Sequence, residues 1–339
     1  MTNRGDIFET GEIFRDRKLV RVGHVPDLER VVGRDDEIDA IGSALAPAIR
    51  GGPPETTIVY GKTGTGKSLV TRCVCREATR RAEKNEVTFA HAYIDCSDYG
   101  TETQASRQMA RDLHSTVKKS VGEQSIPRKG IGAADYRDIA WEMIDDADVD
   151  AFLVILDEID KLDGDELLRS ISRAQESGKA DAFIGAICIS NKIEYRERLS
   201  ERVDSSLQDN ELVFDPYDAR QLEAILTRRR DAFAEGVLED EVIPKTAALS
   251  AREHGDARKA IDMLYEAGRL AEKERAEHVT EAHVDAALEK AEINRFQKLV
   301  SGQPPHVKHI LRALALLTEQ TDRQQFRTAE VYDMYTNIA

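Results

Sequence analysis

Gly61-Lys62-Thr63-Gly64-Thr65-Gly66-Lys67-Ser68, preceded by the β-rich run Thr57-Ile58-Val59-Tyr60, matches the pattern G-x-x-x-x-G-K-[ST] between a strand and a helix. A polyphosphate needs many N–H donors near its oxygens, so glycines must let the backbone approach while the following helix offers its positive end. Lys67 adds a point charge for the β and γ phosphates. Ser68, one residue later, places a hydroxyl where it can hold Mg²⁺ with nucleotide oxygens completing the octahedron. The stretch predicts a nucleoside triphosphate site.

The chain has 339 residues, enough for about two domains, and its apolar fraction of 41% is that of a globular protein. No segment approaches the ~20 apolar residues needed to cross a bilayer, and Met1 to Glu9 lack the basic start and apolar stretch of a signal peptide. A cytoplasmic, nucleoid-associated protein with no membrane partner is expected. Cys73, Cys75, Cys96 and Cys188 form no CxxC pair, which argues against a zinc site or a disulfide framework. The net charge of −15 would argue against a nucleic-acid partner in an ordinary cytoplasm. At molar salt, surface carboxylates are screened within ~3 Å, and only local basic patches then report partners. A mildly acidic mesophilic protein is the alternative.

Apolar runs at 57–60, 87–95, 151–156 and 182–189 alternate with helical stretches, the βα rhythm of a parallel sheet covered on both faces. A fifth short strand, 211–214, leads into Pro216, after which the pattern becomes helical only. The helix after the glycine loop is expected to end near Asn85, and residues 117–135 are expected to form an extended loop. Asp218 with Gln221 makes a capping box for an amphipathic helix marked by Leu222, Ile225, Leu226 and Phe233. Helices follow over 257–276 and 281–293, the second capped by Thr280, then 306–319 and 328–338 beyond the Gly302–Pro305 stop. The expected domains are an N-terminal extension (1–20), an αβ ATPase base (21–216), a helical lid (217–298) and a further helical segment (299–339).

The strand Phe152-Leu153-Val154-Ile155-Leu156 runs into Asp157-Glu158-Ile159-Asp160, putting acids at the carboxyl end of a central strand, where such sheets bind ligands. Asp157 suits Mg²⁺, and Glu158 is positioned to orient or deprotonate an attacking water. Asn191 ends the next strand with a neutral amide able to hold that water or the γ-phosphate. Arg258, in Gly255-Asp256-Ala257-Arg258, opens a helix from which a guanidinium can reach the triphosphate.

These motifs, with Arg202-Val203-Asp204-Ser205-Ser206-Leu207 and Gly255-Asp256-Ala257-Arg258-Lys259-Ala260, resemble the archaeal replication initiators, AAA+ ATPases related to the origin recognition complex and to cell division control protein 6. Asp16-Arg17-Lys18 and Val25-Pro26-Asp27, leading to Arg34-Asp35-Asp36-Glu37-Ile38, resemble that family's N-terminal approach, which packs on the adenine. The resemblance implies an α/β fold: an AAA+ phosphate-loop domain with a five-stranded parallel sheet, a helical lid and a partial winged-helix segment. It implies ATP/ADP and Mg²⁺ as cofactors, and a nucleotide-contacting set of Val25, Gly61, Lys62, Thr63, Gly64, Thr65, Gly66, Lys67, Ser68, Leu69 and Arg258. Metal-holding roles fall to Ser68 and Asp157, and catalytic roles to Glu158, Asn191, Arg258 and Arg202, the last as an arginine finger offered to a neighbouring subunit. It also implies a DNA-contacting helix around 101–111, where Arg107 and Arg111 share a face. Family members end in a winged helix that reads both grooves. Here His306 to Ala339 resemble its first two helices alone, which puts direct base readout in doubt.

The function so implied is a replication initiator with slow ATP hydrolysis as a switch. Its expected partners are double-stranded origin DNA, the replicative minichromosome maintenance helicase and homologous initiator subunits. A truncated regulatory paralogue that binds ATP and initiator partners without origin readout, and a ring-forming AAA+ remodelling ATPase, are the competing functions.

Overall fold

The computed structural model describes residues 13–21, 23–122, 126–174, 177–198, 210–321 and 323–338. These described residues fall into two compact units, one within residues 14–235 and 243–262, the other within residues 236–242 and 263–338 together with Ile13.

In the first unit, five parallel strands stand in the order β2-β3-β4-β1-β5. They are β1 (Thr57–Gly61), β2 (Phe89–Asp95), β3 (Ala151–Asp157), β4 (Phe183–Ser190) and β5 (Glu211–Phe214). Every residue of β3 is buried, as expected of a central strand covered on both faces. Side chains alternate across the sheet, so Phe152, Val154 and Leu156 enter one core while Leu153 and Ile155 enter the other. The first core is closed by α3 (Glu102–Val121), α4 (Ala133–Asp146) and α5 (Glu166–Arg173). The second is closed by α1 (Asp35–Leu45) and α2 (Lys67–Lys84), through Ile41, Leu45, Val70 and Val74. Each such side chain contributes about 1.5–3 kcal/mol of burial, which holds the carboxyl edge of the sheet rigid. Trp141 lies in the first core, and all four cysteines are buried as free thiols.

Three expectations are corrected here. Residues 117–135 are not one extended loop: α3 continues to Val121 and α4 begins at Ala133. Val117 prolongs the apolar face of Ala110 and Leu113 and is buried with them, and that burial outweighs the polar run after it. The helix begun by the Asp218–Gln221 box, α6 (Ala219–Thr227), stops short of Phe233, whose ring packs against Phe14 at 4.9 Å. A helix α7 (Val242–Glu253) was not foreseen; Pro244 sits in its first turn, where a missing N–H costs nothing.

α8 (Ala257–Glu274) begins in the first unit and continues in the second, where α9 (Glu281–Ser301), α10 (Pro305–Thr321) and α11 (Thr328–Ile338) follow. Thr280 and His283 form the capping box of α9, which runs past the expected end at Ile293. Among the described residues, no helix is long and apolar enough to cross a membrane.

Candidate functional site

The carboxyl ends of β1, β3 and β4 converge on one cavity of about 430 Å³, within the range of small-ligand sites. Its lining belongs entirely to the first unit. Thr63, Gly64, Gly66, Lys67, Ser68, Leu69, Asp157, Glu158, Asn191, Arg258 and Val25 all line it. Gly61, Lys62 and Thr65 support the loop from behind, Thr65 Oγ1 donating to the Lys62 carbonyl at 2.9 Å. Arg202 lies outside the described residues.

Backbone conformation explains the glycines at the loop's crest. Gly64 and Gly66 hold φ of +81° and +91°, a left-handed region that side chains disfavour. A Cβ would also stand 1.8 Å from an Asp256 carboxylate oxygen at Gly64, and 2.5 Å from the Tyr217 hydroxyl at Gly66. The loop is therefore a concavity that only glycine leaves open. α2 starts from it at Lys67, and the first-turn N–H groups of a helix have no intrahelical acceptor.

Lys67 is buried and spends its three donors on the Gly61 carbonyl (2.7 Å), the Lys62 carbonyl (2.8 Å) and Asn191 Oδ1 (2.9 Å). Loss of hydration lowers its pKa to about 8, against the opposing pull of Asp157 and Glu158; Arg258 adds to the lowering. The Asn191 amide then donates to Glu158 Oε1 at 3.3 Å, so cation, amide and carboxylate form one chain across three elements. Glu158 holds a left-handed backbone, φ +51°, where β3 turns sharply. Such strain in a non-glycine residue costs of order 1–3 kcal/mol and clusters at functional positions. Its N–H donates to Asp157 Oδ1 at 3.0 Å, and the Tyr93 hydroxyl donates to Asp157 Oδ2. Burial and the Asp157 charge both push the Tyr93 phenol pKa up, so it stays a donor.

The lining also includes the apolar side chains Leu19, Val25, Val31, Val32 and Ile225, beside Arg21, His24, Arg30, Arg228 and Arg229. Arg229 donates to the Leu19 carbonyl. Desolvation and then the charges of Arg229 and Arg30 lower the His24 pKa. A ligand that joins a flat apolar ring to a polyanion matches the two chemistries in this lining. The donor set fits: left-handed glycines clear a cradle, Lys67 supplies charge, and Ser68 with Asp157 offers hard oxygens of the kind Mg²⁺ takes.

Sequence reasoning passed over Tyr93 and Tyr217, and gave Arg34 no role beyond its place in the N-terminal approach. Arg34 is 3% exposed, its guanidinium 4.0 Å from the Tyr217 ring centroid and 5.2 Å from that of Phe214. It also bonds Glu37 and the Asp215 carbonyl. Only the fold brings these residues together; their spacing in the chain carries no signal.

The sheet order, glycine loop and acidic strand end define an AAA+ phosphate-loop ATPase. Three family models match in succession: an AAA ATPase domain over residues 30–184, a Cdc6 AAA+ ATPase-type lid domain over 223–289, and a CDC6 C-terminal winged helix domain over 298–339. The chain is 46% identical over 333 residues to ORC1-type DNA replication protein 4 of Halobacterium salinarum, covering 98% of this chain and 80% of that one. It is 38% identical over 328 residues to the ORC1-type DNA replication protein of Thermococcus kodakarensis, covering 96% and 77%. The solved structure of the Aeropyrum pernix ORC1 protein in complex with DNA superposes with a TM-score of 0.76 at 33% identity, covering 96% of this chain and 82% of that one. The chain belongs to the ORC1-type DNA replication proteins.

Proposed function

We propose that this protein is an ATP-dependent replication initiator that binds double-stranded origin DNA and recruits the minichromosome maintenance helicase, with ATP binding and slow hydrolysis as its switch. The observation that carries the ATP reading is the hydrogen-bonded chain from Lys67 through Asn191 to Glu158, laid over a loop that only glycine keeps open. Loop amides from Gly61 to Ser68 bind the phosphates, and Lys67 exchanges its carbonyl partners for β and γ oxygens. Val25 and the apolar lining hold adenine, while Leu69 packs in the first turn of α2. Mg²⁺, when bound, neutralises charge developing between the β and γ phosphates. Among the described residues no group of three or more His, Cys, Asp or Glu side chains is disposed to hold a metal. Ser68 and Asp157, both on the cavity wall, would hold the ion together with nucleotide oxygens and water.

Glu158 orients the attacking water and accepts its proton. Asn191 ties that carboxylate to Lys67, so the base is held off until the ammonium turns to phosphate. Arg258 meets the γ-phosphate, and Arg202 serves a neighbouring initiator subunit as the finger. Nucleotide binding by calorimetry tests the first step: Lys67→Ala should abolish it, and binding that survives removes the ATP reading. For DNA, duplex affinity at several salt concentrations should fall with a log-log slope of about −0.9 per phosphate contact. A flat response would replace origin binding with the regulatory paralogue. The Aeropyrum pernix ORC1 relative was solved on DNA, which supports the first outcome.

A further inference from the structure

Asp256 is 7% exposed and stands against the phosphate loop without a part in the chemistry above. Its Oδ1 accepts the N–H groups of Arg258 (2.8 Å) and Lys259 (3.1 Å), so it caps α8. The same carboxylate fills the space that a side chain at Gly64 would take. Beside it, the Ala257 N–H donates to the Gly64 carbonyl at 3.1 Å. One residue earlier, Gly255 tucks under Tyr217, whose N–H donates to the Gly255 carbonyl at 3.0 Å. The Tyr217 hydroxyl, in turn, stands over Gly66. Residues 255–257 are thus fastened to the loop at both of its crest glycines. Arg258 is exposed and long, so where its guanidinium reaches depends on where its backbone starts.

We infer that Asp256 is a positioning residue: seated on Gly64, it sets the start of α8, places Arg258 at the phosphate end of the cleft, and makes discrimination between ATP and ADP depend on that seat. The inference rests on the ATP reading given above. Any shift of the Gly64 peptide on meeting a phosphate is passed to α8, because both the Ala257 hydrogen bond and the Asp256 seat attach to that peptide. The glycine at position 64 then serves two ends, room for the ligand and room for the carboxylate.

The test is the ratio of affinities for a non-hydrolysable ATP analogue and for ADP, measured by calorimetry on the full chain. The variants are Asp256→Ala, Asp256→Ser, Asp256→Asn, Arg258→Ala and the Asp256→Ala/Arg258→Ala pair, with Tm followed for each. Asp256→Ala should reduce the preference for the ATP analogue about five- to tenfold. Asp256→Ser keeps a good helix cap but empties the seat, and should lose the preference equally. Asp256→Asn fills the seat and still accepts both N–H groups, and should retain it. The pair should match Arg258→Ala alone, because Asp256 acts through Arg258. A wild-type ratio in Asp256→Ser or Asp256→Ala, whatever the Tm, overturns the inference, as do losses that multiply in the pair or a full loss in Asp256→Asn. A wild-type chain that binds neither nucleotide overturns the ATP reading and this inference with it.

Discussion

Replacing Arg34 by methionine removes a cation that is almost wholly buried and leaves Glu37, whose side chain is 14% exposed, without its partner. It also strips the guanidinium from between the Tyr217 and Phe214 rings and orphans the Asp215 carbonyl. Breaking a buried ion pair from one side costs about 3–5 kcal/mol. Methionine returns part of the packing, while a desolvated cation–π contact is worth about 2 kcal/mol, so a net loss of about 4 kcal/mol is expected. Trp141, the chain's single tryptophan, is 3% exposed in the core of the same unit, so its fluorescence reports the unfolding of that unit directly. With a urea slope of roughly 3 kcal/mol/M for a unit of this size, the midpoint should fall by about 1.3 M. Arg34→Met/Glu37→Met should recover most of the loss, because no lone carboxylate remains inside. A shift below about 0.3 M for the single variant, or no recovery in the double, would refute the claim that this buried pair stabilises the unit.

Glu158→Gln should retain ATP affinity while turnover falls by about 10²–10⁴-fold; unchanged phosphate release would remove Glu158 from the role of base. Gly66→Ala, whose Cβ would stand 2.5 Å from the Tyr217 hydroxyl at a φ of +91°, should weaken nucleotide binding, with part of the loss returned by Tyr217→Phe; equal affinity in Gly66→Ala would show that the loop has room to spare. Lys67, lowered from 10.5 to about 8 in the folded chain, carries a sign that can be checked. Between those values the unfolded chain holds a proton that the native state lacks, so this group makes stability rise with pH across the window. Affinity for ATP should do the reverse, falling as pH passes about 8, because the phosphates need the ammonium; affinity unchanged from pH 7 to 9 would contradict it.

Local chemistry made much of the site legible. A turn that hugs phosphates demands glycine where φ is positive, a lysine and a hydroxyl at fixed offsets, and a helix behind them, so residues 61–68 announce themselves in one dimension. The acids of 157–158 become legible only beside that loop, since an acidic strand end by itself is more often a solvated turn, whereas behind a phosphate loop it falls at the ligand edge of the sheet. Boundaries fared worse where burial carried a helix through a polar run, as after Val117, or where a proline sat in a first turn, as at Pro244.

The sequence by itself determined the chemical parts: the phosphate loop, the acidic strand end, the amide of Asn191 and the βα rhythm. Tertiary structure alone decided which distant side chains hold those parts in place. Tyr93 reaches Asp157 because β2 and β3 pair in register, Asp95 opposite Asp157. Asp256 meets Gly64 across 192 positions of chain because α8 starts against the loop. Motif residues are constrained by the ligand and so keep a fixed spacing, whereas their supports are constrained only by where folding brings two surfaces together.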